Sequence, residues 1–236
     1  MRLHLRHTAF AALLLCCVAS TTQAALIGNP LLEEFDASAQ NWRVAVSANT
    51  ATWVSGGGPE GAGDAFIRST FTTPGSSPQV VLRARLSEPA SDGIFFGDWT
   101  GGQKVINFSV RHNAPTPLTF GLRFPMPANF PAMNGTFSEA VDPNEWTQLT
   151  LVVNESNPLW INEGAVFNDV FSNVTNIQLY ANLASLPAAT TVDFDLDNFQ
   201  VVPEPSTIAI AALGLPAMAF AAVRYRRRKN AEKSAA

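Results

Sequence analysis

Between residues 25 and 202, apolar and polar side chains alternate with a period of two, in short runs cut by clusters of Gly, Pro, Asn, Asp and Ser. A chain patterned this way buries one face of each run by forming antiparallel β-structure. The runs fall at residues 42–46, 65–71, 79–86, 104–111, 118–124, 146–153, 174–181 and 191–202. In residues 104–111, Ile106, Phe108 and Val110 share one face, while Asn107, Ser109 and Arg111 share the other. Turn chemistry separates the runs at Gly56-Gly57-Gly58-Pro59, Pro74-Gly75-Ser76-Ser77-Pro78, Ser91-Asp92-Gly93, Asn113-Ala114-Pro115 and Asn134-Gly135. No window keeps a 3.6-residue period over three turns, so an α/β scaffold is excluded. The expected fold is all-β, a single sandwich of jelly-roll type. Residues 124–143 contain Pro125, Pro127, Pro131 and Pro143, and are expected to form an ordered surface loop.

The two ends do not share this pattern. Arg2, His4, Arg6 and His7 precede an apolar run over residues 8–19, and Thr22-Gln23-Ala24 supplies a small-x-small cleavage site. Residues 1–24 therefore read as a Sec signal peptide with a helical apolar segment, cut after Ala24. At the other end Pro203, Glu204 and Pro205 lead into an apolar helix predicted over residues 206–223. A basic cluster at 224–229 and a disordered tail at 230–236 follow. The uncharged stretch 208–223 would rise roughly 24 Å as a helix, close to the ~30 Å of a bilayer core. The cations after it would hold that end in the cytoplasm, leaving the body outside.

Val202-Pro203-Glu204-Pro205-Ser206-Thr207, the apolar helix and the arginine cluster, in that order, resemble the PEP-CTERM sorting signal of bacterial surface proteins. The resemblance implies that an exosortase in the inner membrane recognises Pro203, Glu204 and Pro205 and removes the helix. The protein would then be released from its inner-membrane intermediate to the cell surface or extracellular matrix. It also implies an association with exopolysaccharide and biofilm.

Composition excludes several chemistries for the body. Both cysteines, Cys16 and Cys17, and two of the three histidines lie before residue 25. That leaves His112 as the one histidine, with no thiol nucleophile, no disulfide and no cysteine-bound zinc. No GxSxG motif accompanies His112, which is expected to be an ordinary strand-end or loop residue. From residue 25 to 202, seven Lys/Arg against seventeen Asp/Glu leave a net charge of −10, which argues against nucleic acid as partner.

Three segments carry a second resemblance: Glu33-Glu34-Phe35-Asp36 with Trp42, Trp146 to Leu151, and Val192 to Phe199. Together they are similar to jelly-roll carbohydrate-binding modules and galactose-binding-like domains, in which the first and last strands lie close together. In those modules carboxylates from these two strands hold a structural calcium. Asp36 and Asp197 match the positions best, with Glu33 and Glu34 as alternatives to Asp36.

Asp193, Asp195 and Asp197 alternate onto one face of the last run, where they repel one another unless solvated or neutralised by a cation. The same triplet allows a glycosidase reading, since carboxylate pairs on a jelly-roll strand can hydrolyse glycosides. Among Trp42, Trp53, Trp99, Trp146 and Trp160, Trp99 sits in a polar loop and is the candidate for an exposed sugar-stacking platform. The expected function is a non-enzymatic, exported surface or matrix protein that associates with exopolysaccharide. The alternatives are a jelly-roll carbohydrate-active enzyme and a purely structural matrix protein.

Overall fold

The computed structural model describes residues 31–44, 49–75, 78–101 and 104–203. The expected signal peptide, the apolar helix at 206–223, the basic cluster and the tail lie outside these residues. Among the described residues no helix is long and apolar enough to cross a membrane.

Twelve strands are described: β1 (Leu31–Glu33), β2 (Arg43–Val44), β3 (Thr52–Val54), β4 (Phe66–Thr72), β5 (Gln79–Arg85), β6 (Lys104–His112), β7 (Leu118–Pro125), β8 (Ala132–Val141), β9 (Thr147–Val153), β10 (Trp160–Glu163), β11 (Asn176–Ala181) and β12 (Thr191–Pro203). A 3-10 turn at Ala90–Gly93 and one short helix, α1 (Phe167–Phe171), complete them. The first sheet runs β3-β4-β12-β6-β9, with β1 also paired to β12, and the second runs β10-β8-β7-β11-β5-β2. Every pairing between these strands is antiparallel. The fold is the all-β sandwich that the alternation predicts.

The core is built from the inward positions of both sheets. Ile106, Phe108 and Val110 of β6 meet Phe120, Leu122 and Phe124 of β7 and Ile177 and Leu179 of β11 in one buried cluster. Phe199 of β12 is at its centre, with its ring 5.9 Å from Phe108, 5.0 Å from Phe95 and 5.2 Å from Trp42. Burying such a ring contributes about 2–3 kcal/mol, which makes these residues the main source of cohesion.

The expected loop at 124–143 is corrected: Ala132–Val141 is a paired strand lying between β7 and β10. Its four prolines bracket the strand instead of interrupting it, with Pro125 ending β7 and Pro131 just before β8. Within it Met133 and Phe137 face the core while Asn134 and Thr136 face out. Gly135 leaves room for its neighbours, since a Cβ there would lie 2.5 Å from Leu151 and 2.9 Å from Trp160. Strands β1, β3 and β10 are too short to give a periodic signal. The run at 42–46 is reduced to Arg43–Val44, with residues 45–48 outside the description.

Candidate functional site

The last strand brings the sequence-predicted carboxylates together, and its neighbours answer two of them. Asp195 stands opposite Arg68 on β4 and Arg111 on β6. Arg68 donates to it from Nε at 2.6 Å and from Nη2 at 2.9 Å, and Arg111 from Nε at 2.9 Å. Asp193 accepts from Thr70 at 2.6 Å and from Asn113 at 3.2 Å, with Arg68 3.7 Å away. The neutralising cations for this pair are therefore arginines. Arg111 also lies over the Trp146 ring at 4.5 Å and donates to the Gly57 carbonyl, tying the glycine-rich loop to the sheet.

Asp197 is different. It is wholly buried, and neither carboxylate oxygen has a side-chain or well-formed hydrogen-bond partner among the described residues. Here β12 changes partners: β4 pairs with it as far as Leu196 and β1 takes over from Phe199. The register shifts between Asp197 and Gln200, and Asn198 adopts a left-handed φ of 52°. The shift returns Phe199 to the core and leaves Asp197 in the gap between β4 and β1. Burial pushes its carboxyl up to about 8, and the charges of Asp64, Glu34 and Glu60 push the same way. The backbone N–H of Asn198 offsets them in part.

A buried carboxylate with two orphaned oxygens fits a cation. Asp36, the expected partner, is exposed, and it is not among the acids whose charge acts on Asp197. Among the described residues no three His, Cys, Asp or Glu side chains form a metal cage. A cation on Asp197 would thus draw further oxygens from backbone carbonyls and water, which calcium accepts.

Trp99 is not a platform. It is 4% exposed, its Nε1 donates to the Phe95 carbonyl at 3.1 Å, and its ring packs on Phe124 and Phe171. Its polar neighbours form the loop, but the indole folds back as part of the core. Trp99→Phe should therefore lower stability by roughly 1–2 kcal/mol in a thermal melt while leaving any glycan retention unchanged. His112 is buried beneath Val141. Its Nδ1 accepts from the Ala114 N–H, so its Nε2 donates to the Val141 carbonyl at 2.9 Å. Burial lowers its pKa, and it serves as a neutral structural group.

A large concavity lies elsewhere among the described residues, on the outward face of the second sheet. Its register lines up one polar row across five strands: Arg43 of β2, Arg83 of β5, Gln178 of β11, Arg123 of β7 and Asn134 of β8. Arg123 donates to Glu163 at 2.7 Å, to Gln178 at 3.0 Å and to the Asn129 carbonyl at 2.8 Å. Gln178 in turn donates to the Asn129 side chain at 3.0 Å. Beside this row Tyr180 lies flat over Gly121, where any Cβ would collide with its ring, and pairs its hydroxyl with Thr136 at 2.8 Å.

All of these residues but Arg43, Gly121 and Thr136 line a cleft of about 570 Å³, which shares Arg85 and Asn129 with a second of about 400 Å³. Their combined floor follows β5 from Pro78 to Leu86, a span of roughly 26 Å. Phe130, next in sequence to the lining residue Asn129, is 63% exposed. Glu163 is the one carboxylate among the lining residues.

Reading the sequence missed this groove. The signal was present in Val81-Leu82-Arg83-Ala84-Arg85 and Leu122-Arg123, whose arginines alternate with apolar residues and so point outward. Pro203, the first residue of the Pro-Glu-Pro segment, ends β12 opposite Lys104; Glu204 and Pro205 lie outside the described residues.

Residues 201–228 match the PEP-CTERM protein-sorting motif. Among solved structures, an exo-β-agarase superposes with a TM-score of 0.50 at 11% identity, over 75% of this chain and 26% of that one. The N-terminal modules of a Clostridium thermocellum endo-1,4-β-D-xylanase, complexed with xylohexaose, give 0.47 at 14% identity, over 74% and 28%. A family 11 carbohydrate-binding module from Clostridium thermocellum, in complex with a β-1,3-1,4-mixed-linked tetrasaccharide, gives 0.45 at 11% identity, over 74% and 95%. The chain thus spans about a quarter of the agarase and xylanase structures, and the likeness to them is one of fold. No curated protein matches the sequence.

Proposed function

We propose that this chain, which carries a PEP-CTERM sorting motif behind a β-sandwich, is an exported surface or matrix protein that binds exopolysaccharide without transforming it. In this reading residues 1–24 direct Sec export, and an exosortase acts at Pro203-Glu204-Pro205 and discards the segment that follows. The sandwich then acts at the cell surface or in a biofilm matrix.

The observation that carries the binding part is the groove across the second sheet. It is open, long enough for several sugar rings, and floored by amide, phenol and guanidinium groups whose planar donors and acceptors suit hydroxyls. Phe130 beside it can stack on a pyranose face. The non-catalytic part is supported by the lining: Glu163 stands without a second carboxylate and is held by Arg123. Glycoside hydrolysis commonly needs two such groups.

Affinity electrophoresis of the full chain through gels containing polysaccharides tests this reading. Retardation by at least one glycan is expected, with Phe130→Ala and Gln178→Ala each weakening it about tenfold. Phe130→Ala removes an exposed ring and should leave the melting temperature unchanged. Release of reducing ends would support the enzymatic alternative, and unretarded migration in every gel would support a purely structural role. We also propose that Asp197 holds a structural calcium at the junction of β1, β4 and β12, supported by its orphaned oxygens.

A further inference from the structure

Four of the seven Lys/Arg residues between 25 and 202 stand on the outward face of the second sheet: Arg43, Arg83, Arg85 and Arg123. Among the described residues, two acids stand in ion pairs with them. Glu163 is 2.7 Å from Arg123, while Glu88 is 3.3 Å from Arg43 and 3.9 Å from Arg83. Arg43 and Arg83 face each other directly across β2 and β5, and Arg83 and Arg85 are neighbours on one face of β5. Like charges so placed destabilise a sheet unless an anion lies among them. The Nε of Arg85 is buried with no hydrogen-bond partner among the described residues, and Arg85 lines both halves of the groove. Burial and the nearby charge of Arg85 both weaken the hold of Arg83 on its proton. The groove therefore has a surplus of positive charge in a body whose net charge is −10.

We propose that the groove selects an acidic polysaccharide, with its arginines receiving the carboxylates of uronate-type sugars while the amides and Phe130 hold the rings. This inference rests on the glycan-binding reading above. Guanidinium matches carboxylate as a planar fork, so a carboxylated sugar meets both the charge and the donor geometry. Hydroxyls on the same rings can pair with the amides of Gln178, Asn129 and Asn134 beside the arginines.

The test measures binding of the full chain to polygalacturonate and alginate, to methyl-esterified polygalacturonate, to neutral xylan and laminarin, and to a single-stranded oligonucleotide. At low salt at least one carboxylated polymer should bind about tenfold more tightly than every neutral one, weakening as salt is raised. Arg85→Gln should remove about tenfold of that preference and Arg85→Lys should restore part of it, each with a melting temperature no lower than the wild type's as the control for folding. Neutral glycans bound as tightly as carboxylated ones would overturn the acidic preference and leave the glycan-binding reading standing. Equal binding of the oligonucleotide would overturn it in favour of generic polyanion capture. Binding to none of the polysaccharides would overturn both.

Discussion

Asp195→Ala should cost about 3 kcal/mol, a fall of roughly 6–12 °C in melting temperature for a domain of this size. The carboxylate is 3% exposed and is the shared acceptor for two guanidiniums arriving from strands on either side, at 2.6 Å and 2.8 Å. Removing it leaves Arg68 and Arg111 facing each other with nothing between them. Both are partly open to water, with side chains 33% and 22% exposed, which sets the cost at the low end of the range for broken buried pairs. The substitutions Arg68→Ala and Asp195→Ala should be non-additive in a double-mutant cycle, because each removes one side of the same bidentate pair. Additive costs would mean that the triad contributes nothing as a unit. The loss should also be independent of any glycan, since the cluster lies in the opposite sheet from the groove.

Asp197→Asn should have the opposite sign. In the presence of a chelator at pH 8 the variant should melt at least about 4 °C above the wild type. The direction follows from proton linkage. Burial raises the folded carboxyl from 3.8 to about 8, so the native state holds its proton more tightly than the unfolded chain does. Stability from this group is fully present below pH 3.8 and is lost as pH rises to about 8. Asparagine cannot ionise and should escape that loss, so the gap between the two proteins should close as pH falls toward 4. Calcium at pH 8 should restore the wild type and leave the variant unmoved, since a ligand that binds only the folded form stabilises it by mass action. A wild type indifferent to both calcium and chelator would remove calcium from the account while leaving the titration of Asp197 in place.

How much of this was legible in the sequence follows from what each element asks of its residues. Strands β6, β7, β9 and β12 bury one face against the opposing sheet, so Phe108, Phe120, Leu151 and Phe194 had to recur at every second position, and the sandwich could be read directly. β8 was hidden because prolines at both of its ends read as a loop. Its inward Gly135, small because Leu151 and Trp160 crowd it, also thinned the apolar signal. The aspartate triplet was visible as a triplet. Its division into an arginine-neutralised pair and a solitary buried carboxylate was not, since that depends on Arg68 and Arg111 being in register and on the shift after Asp197. Trp99 misled because loop polarity describes neighbouring side chains and says nothing of where an indole turns. The groove was least legible of all: its residues come from five strands that are distant in sequence, and only the pairing register assembles them into a row.

Glycan binding in that row is the central claim, and the measurement closest to it is amide hydrogen exchange of the full chain with and without the polysaccharide that retards it. Slowed exchange is expected in β5, β7 and β11 and in the segment from Met126 to Pro131, with β4 and β12 unchanged. Protection confined to the first sheet, around Trp53 or the aspartates of β12, would contradict the account and move the ligand to the other face of the sandwich.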